Sequence, residues 1–317
     1  MKTFLRSTLT AASLAAGLAV SSASTGLAAN DFGPLVTPSA LSDDLGQSAP
    51  LVLDIRGDVY EKGHIPGAVS APYGLFRGPA SNPGQLVPED KLEATLQDLG
   101  ITKSRPVVVV HQGSDDSDFG AAARVYWTLK SSGVSQLAIL NGGMNAWAAA
   151  GFPTNADPVT PVKSDIDITF SHQWLADTDE VASIVDGDSN AVLVDSRPAA
   201  FYEGKQSHGA ASRPGTLPGA ENVAHSEWFV PGTPSITDSA SAASLAEKFG
   251  LNTDEEVVAF CNTGHWAATD WFALSELAGV PNVKLYPDSM VGYSQTDHEM
   301  ANTPGLLQNL MNQLKGD

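Results

Sequence analysis

Residues 257–269 read Val257-Val258-Ala259-Phe260-Cys261-Asn262-Thr263-Gly264-His265-Trp266-Ala267-Ala268-Thr269. The first four are apolar, of strand length and partly β-branched, and the five after Cys261 are mostly polar and include a glycine. An apolar stretch over 267–277 follows, long enough for a helix. Strand, short loop, helix is the building unit of a parallel α/β sheet covered by helices on both faces. Ligands of such sheets bind outside the carboxyl ends of the strands, so this loop is placed to face a substrate. It carries the single cysteine of a 317-residue chain.

The same order of signals occurs twice. The first pass contains Leu51-Val52-Leu53-Asp54-Ile55-Arg56, then Gly63-His64-Ile65-Pro66-Gly67-Ala68-Val69. A helical stretch over 89–99, a strand over 107–110, a polar loop over 111–120, a helix over 121–129 and a strand over 137–140 follow. The second pass contains Val192-Leu193-Val194-Asp195-Ser196-Arg197 and Gly215-Thr216-Leu217-Pro218-Gly219-Ala220. A helix over 240–249, the strand ending at Phe260, the Cys261 loop, its helix and a strand over 283–286 come next. Pro153, Pro158 and Pro161 interrupt the segment between the passes. The expected plan is α/β, two tandem domains, each a mostly parallel sheet with helices on both faces. The domains run over 29–151 and 168–317, with a linker over 152–167.

Acidic residues outnumber basic ones 36 to 17, for a formal charge of -19. Such a surface excludes nucleic acid as a partner, because phosphate contacts need clustered Lys and Arg. At the start, Lys2 and Arg6 precede an apolar run over 9–20 and then small residues up to Ala28 or Ala29. That layout predicts a signal peptide over 1–28, export to the periplasm, and no membrane association after cleavage. Cys261 is then an unpaired thiol in an oxidising compartment, unable to form a disulfide within the chain.

A lone cysteine at a strand end is commonly a small buried hydrophobe. The loop after Cys261 is short enough to turn several N–H groups toward one centre, with a helix N-terminus behind them, and both favour a thiolate. Gly264 suits a position of positive φ or close approach. His265 is a candidate catalytic or substrate contact, and Trp266 lines a pocket mouth or fills core. Cysteine phosphatases need an arginine after five intervening residues, and Ala267 stands there. The pairs Asp54/Arg56 and Asp195/Arg197 read as structural supports at strand ends, and His64 as a turn-stabilising residue. Asp115, Asp116 and Asp118 lack the spacing of a calcium loop and read as a solvated acidic loop. The tail over 302–317 reads as a short helix.

With these residues in view, the whole chain after the leader resembles a tandem-domain rhodanese. That sulfurtransferase family includes thiosulfate and 3-mercaptopyruvate sulfurtransferases. The resemblance rests on Leu53-Asp54-Ile55-Arg56 with Gly63-His64-Ile65-Pro66-Gly67-Ala68, Val194-Asp195-Ser196-Arg197 with Pro218-Gly219-Ala220, Leu140-Asn141-Gly142-Gly143 with Trp147, and the Cys261 loop. It implies a catalytically silent N-terminal domain, with His111 roughly where a catalytic cysteine would be. It also implies that Cys261 takes sulfur from a small donor, becomes a persulfide, and delivers it to cyanide or a thiol without a cofactor or metal. Asn262, Thr263, Gly264, His265 and Trp266 would contact the substrate. Members that use thiosulfate typically have an Arg directly after the cysteine, where this chain has Asn262, and Phe201 replaces another frequent Arg. Arg213 resembles a substrate-reaching Arg of the family, ahead of the solvated Lys205. A non-catalytic sulfur carrier serving an exported protein partner is the alternative from another class.

Overall fold

The computed structural model of the chain describes residues 32–47 and 49–305. The segment read as a signal peptide and residues 306–317 of the tail lie outside that range. The first half orders β1 (Leu35–Val36), α1 (Pro38–Gln47), β2 (Leu51–Asp54), β3 (Val69–Ser70), α2 (Glu89–Asp98), β4 (Val107–Val110), α3 (Asp116–Ser131), β5 (Leu137–Leu140) and α4 (Gly143–Ala149). The second half orders α5 (Thr178–Val185), β6 (Val192–Asp195), α6 (Ala199–Tyr202), β7 (Glu221–Asn222), α7 (Ser239–Lys248), β8 (Val257–Phe260), α8 (Trp266–Trp271), β9 (Val283–Leu285) and α9 (Ser289–Tyr293).

Every pairing among these described strands is parallel. The first sheet runs β1-β5-β4-β2-β3 and the second β7-β6-β8-β9. The registers repeat as well: Asp54 lies beside Val110 and Asp195 beside Phe260. A parallel bridge between Leu175 and Leu285 stands where β1 pairs with β5 in the first half. Central strands β2, β4, β5 and β8 are buried throughout, which is why they read as unbroken apolar runs rather than alternating ones.

The halves share one apolar core along the contact of α3 with α8. Phe272 receives the edges of Phe119 at 5.5 Å and Tyr126 at 5.0 Å. Each fully buried phenylalanine there contributes about 2 kcal/mol or more through removal of apolar surface from water. Gly120 permits the close approach, because a Cβ at that position would lie 2.7 Å from the carbonyl oxygen of His265. α3 is thereby pressed against the Cys261 loop.

Helix α3 begins five residues before the expected 121–129 helix. Asp115 is its N-cap, accepting from the Asp118 N–H at 2.8 Å, so part of the expected acidic loop is the helix's first turn. The apolar stretch after the cysteine is likewise not one regular helix: α8 runs into a π-helical stretch, Phe272–Leu277.

Candidate active site

The two Asp-x-Arg pairs are clamps at the strand ends. Arg56 grips Asp54 through Nε and Nη2 at 2.9 and 2.6 Å and donates to Gly63 O. Arg197 grips Asp195 in the same way at 2.8 and 2.6 Å and donates to Gly215 O. The remaining Nη1 reaches the residue after His111 in one half, Gln112 Oε1 at 3.2 Å, and the residue after Cys261 in the other, Asn262 Oδ1 at 3.3 Å. Asn262 is therefore a buried strut to the clamp. His64 is buried, stacks on Tyr60, and faces the carbonyls of Tyr60 and Asp157, tying its turn to the connecting segment.

Cys261 is 1% exposed at the end of β8. Its carbonyl accepts from Met290 N, and that of Asn262 accepts from Val291 N, which docks the loop on α9. Ser289 secures it further. Its hydroxyl accepts from Cys261 N at 3.0 Å and Gly264 N at 3.2 Å and donates to Tyr286 O at 2.7 Å. Ser289 has a φ of 50°, a left-handed conformation costing a non-glycine residue about 1 kcal/mol, which these three bonds offset. Gly264 is left-handed at φ 63°, as its position suggested. The N–H groups of Asn262, Thr263, His265 and Trp266 meet no acceptor among the described residues.

The rest of the loop is roofed by the first half. His265 donates from Nε2 to Ser117 O at 2.8 Å, so Nδ1 is the acceptor for the Tyr73 hydroxyl at 3.1 Å. Burial, and then the neighbouring Arg77, bring its imidazole down from 6.5 to about 4, leaving it neutral. Both ring nitrogens are engaged, so His265 fixes the loop to the first half rather than presenting a free nitrogen. Trp266 donates to Ser117 Oγ at 2.7 Å and stacks on His225 at 4.8 Å, with Phe201 edge-on at 5.8 Å. It is a wedge between the halves.

Arg213, expected at the donor, has its guanidinium engaged by backbone. Its guanidinium donates to the carbonyls of Ser294, Thr296 and His298, closing the turn after α9. Lys205 is exposed and pairs with Glu203. Besides Arg197, whose charge is paired with Asp195, two cations reach the loop from the first half. Arg77 donates to Thr263 O at 2.9 Å, and Arg124 to Gly264 O at 3.2 Å and Gly84 O at 2.8 Å. Tyr73 and Arg124 each lie within electrostatic reach of Arg77 and of Cys261, and Arg124 also of Asp288. Arg124 had a visible sequence signal, as the lone charged residue of 119–129. The serine at 289, aligned with a glycine in Gly143-Met144, was another.

In the first half, the corresponding loop is filled by its own chain. Asp118 Oδ2 accepts from Gly113 N at 2.6 Å, Ser114 N at 3.3 Å and His111 Nδ1 at 3.0 Å. Burial opposes that charge, but the bonds from His111 and the two amides hold the carboxyl below its ordinary value. Asp118 is thus the anion of a closed nest, in place of the solvated residue expected.

Comparison with known proteins matches this chain to the Rhodanese-like domain twice, over residues 37–150 and 177–296. A putative thiosulfate sulfurtransferase of Synechococcus elongatus is 26% identical, over 83% of this chain and 83% of its own. The 3-mercaptopyruvate sulfurtransferase of Escherichia coli is 28% identical, over 72% of this chain and 79% of its own. The crystal structure of SseA from Escherichia coli, a 3-mercaptopyruvate sulfurtransferase, superposes with a TM-score of 0.70 at 22% identity, covering 80% of this chain and 98% of that one. With two domain matches in tandem, paired parallel sheets and a single cysteine on the strand-end loop of the second, the chain belongs to the rhodanese family of sulfurtransferases.

Proposed function

We propose that Cys261 is the sulfur-carrying nucleophile and that the donor is a small sulfane compound such as thiosulfate. The observation that carries this reading is the buried cysteine at the base of a loop whose N–H groups at Asn262, Thr263, His265 and Trp266 have no acceptor among the described residues. Such amides stabilise a thiolate and then the anionic persulfide, at no reorganisation cost. The thiolate attacks the outer sulfur of thiosulfate; the S–S bond breaks and sulfite leaves with its electron pair. Cyanide or an acceptor thiolate then attacks the outer sulfur of the persulfide, giving thiocyanate or a new persulfide and restoring the Cys261 thiolate. One sulfur atom suffices for both steps, so neither a resolving cysteine nor a cofactor enters.

Incubation with thiosulfate and cyanide is expected to release thiocyanate and, with cyanide omitted, to raise the intact mass by one sulfur. Turnover with 3-mercaptopyruvate alone assigns that donor instead. A mass increase with no turnover on any small acceptor assigns a carrier role toward a protein partner. No persulfide with any donor removes Cys261 from the chemistry. The leader-like residues 1–28 support export to the periplasm, where the burial of Cys261 limits adventitious oxidation. Fractionation of the source cells, with the N-terminus of the exported form read by mass, tests this: an unprocessed cytoplasmic chain refutes export.

A further inference from the structure

Arg124 is anomalous on physical grounds. It is 1% exposed, yet no carboxylate lies within ion-pair distance of it among the described residues. Its partners are two carbonyls, Gly84 O and Gly264 O, and the face of Trp127 at 5.2 Å, and its Nε–H has no acceptor among the described residues. A buried guanidinium without a counter-ion is strongly unfavourable, and orphaned buried donors are rare enough to require a reason. A second guanidinium, Arg77, is brought to the neighbouring carbonyl, Thr263 O, although the two cations repel. Burial, and then Arg77, lower Arg124 to about 10, so it remains charged at neutral pH. Two like charges converge on consecutive carbonyls of the loop that bears Cys261. Asp288, one oxygen of which accepts from Asn82, lies within electrostatic reach of Arg124 but beyond ion-pair distance, so among the described residues neither cation has an ion-pair partner.

We propose that Arg77 and Arg124 of the first half form an anion subsite beside Cys261 that receives the negatively charged end of the sulfur donor, so that each half supplies one part of the active site. This deepens the sulfurtransferase reading above and rests on it for the identity of the anion. The subsite recognises an oxyanion, the sulfonate-like end of thiosulfate or the carboxylate of 3-mercaptopyruvate. It takes over the work of the cation missing at Asn262. The alternative is that the two arginines only fasten the halves together.

Alkylation of Cys261 in the full chain separates these. Iodoacetate and iodoacetamide have nearly the same size and reaction and differ in charge. Wild-type protein is expected to favour iodoacetate over iodoacetamide by about tenfold relative to a free thiol, the scale of one charge-assisted contact. Arg77→Gln, at a half-buried position, is expected to return that ratio to the free-thiol value and to raise the thiosulfate KM about tenfold with kcat little changed. Arg124→Met is expected to do the same if it folds, and Arg77→Gln carries the test if it does not. A wild-type ratio equal to that of a free thiol, or a ratio unmoved by Arg77→Gln, overturns the subsite even if thiosulfate is turned over. A ratio that behaves as expected, with no sulfur loaded from any donor, leaves the subsite standing and overturns the sulfur-transfer reading. A KM increase confined to one donor identifies which oxyanion the subsite holds.

Discussion

The two halves place a similar strand-loop-helix at the same point and use it differently. Five residues join strand to helix in each half, 111–115 and 261–265. In the first half, Asp118 in the first turn of α3 closes the loop by accepting from Gly113 N and Ser114 N. The second half has Ala268 at the corresponding position of α8 and leaves four amides of its loop and helix start without an acceptor among the described residues. Behind both loops the chain turns through a left-handed residue, Gly143 at φ 60° and Ser289 at φ 50°. Only the serine offers a hydroxyl to the loop. The first loop has its anion supplied by its own helix, whereas the second keeps its amides open beside two arginines that have no ion-pair partner among the described residues.

The largest expected effect removes the nucleophile. Cys261→Ser should abolish sulfur transfer, because a hydroxyl cannot form a persulfide, while the melting temperature stays near that of wild type. Adding His111→Cys to that variant should restore nothing, since Asp118 still occupies the nest. Thiocyanate production by the double variant would show that the filled nest is not what silences the first half.

Gly264→Ala comes next. The position is left-handed at φ 63°, and a Cβ there would strike Arg124 Nη1 and lie 2.7 Å from Pro287 O. Left-handed strain and overpacking together predict a loss of about 2–4 kcal/mol in urea-induced unfolding, with activity falling as the loop shifts. Unchanged stability would mean the halves yield at this seam more easily than their packing suggests.

Ser289→Gly makes the second half resemble the first at its turn. Relief of the left-handed strain offsets part of the lost bonding, so stability should change by less than about 1 kcal/mol. The amides of Cys261 and Gly264 lose their acceptor, and kcat/KM should fall about thirtyfold, equivalent to about 2 kcal/mol of transition-state stabilisation. An active variant with wild-type kinetics would assign the hydroxyl to folding alone.

The fold was legible because its signals are local. Short buried strands, the Asp54/Arg56 and Asp195/Arg197 clamps and the duplicated order each lie within a few tens of residues. The nucleophile was legible for the same reason. The cations were not: Arg124 meets Gly264 across 140 positions and Arg77 meets Thr263 across 186, contacts that exist only once α3 packs on α8. Within the second half the sequence offers Arg213 as the base for the donor, but its guanidinium closes a turn. The N-cap at Asp115 was readable from Asp115-Asp116-Ser117-Asp118, but the acidic run hid it.

The smallest effect concerns pH, and it sharpens the picture of His265 as a neutral bridge between halves. Burial, and then Arg77, lower its imidazole from 6.5 to about 4. Below about pH 6.5 the unfolded chain takes up a proton that the folded chain refuses. The contribution of His265 to stability is therefore complete above that pH and declines as pH falls toward 4, where the folded state protonates too. By about pH 5.5 the decline amounts to roughly 1 kcal/mol. Two buried groups complicate the raw curve. His225 is lowered by burial and acts in the same direction, whereas burial holds the Asp270 carboxyl well above its ordinary value and acts in the opposite one. The informative quantity is thus the stability of wild type minus that of His265→Asn, which loses the titrating ring and leaves the other two in place. That difference should shrink between pH 7 and about pH 5.5 in urea-induced unfolding. A difference constant with pH would mean that folding leaves the His265 ring as ready to take a proton as it is in the unfolded chain, and a difference that grows as pH falls would mean that the ring is held as an ion against Tyr73 and Ser117.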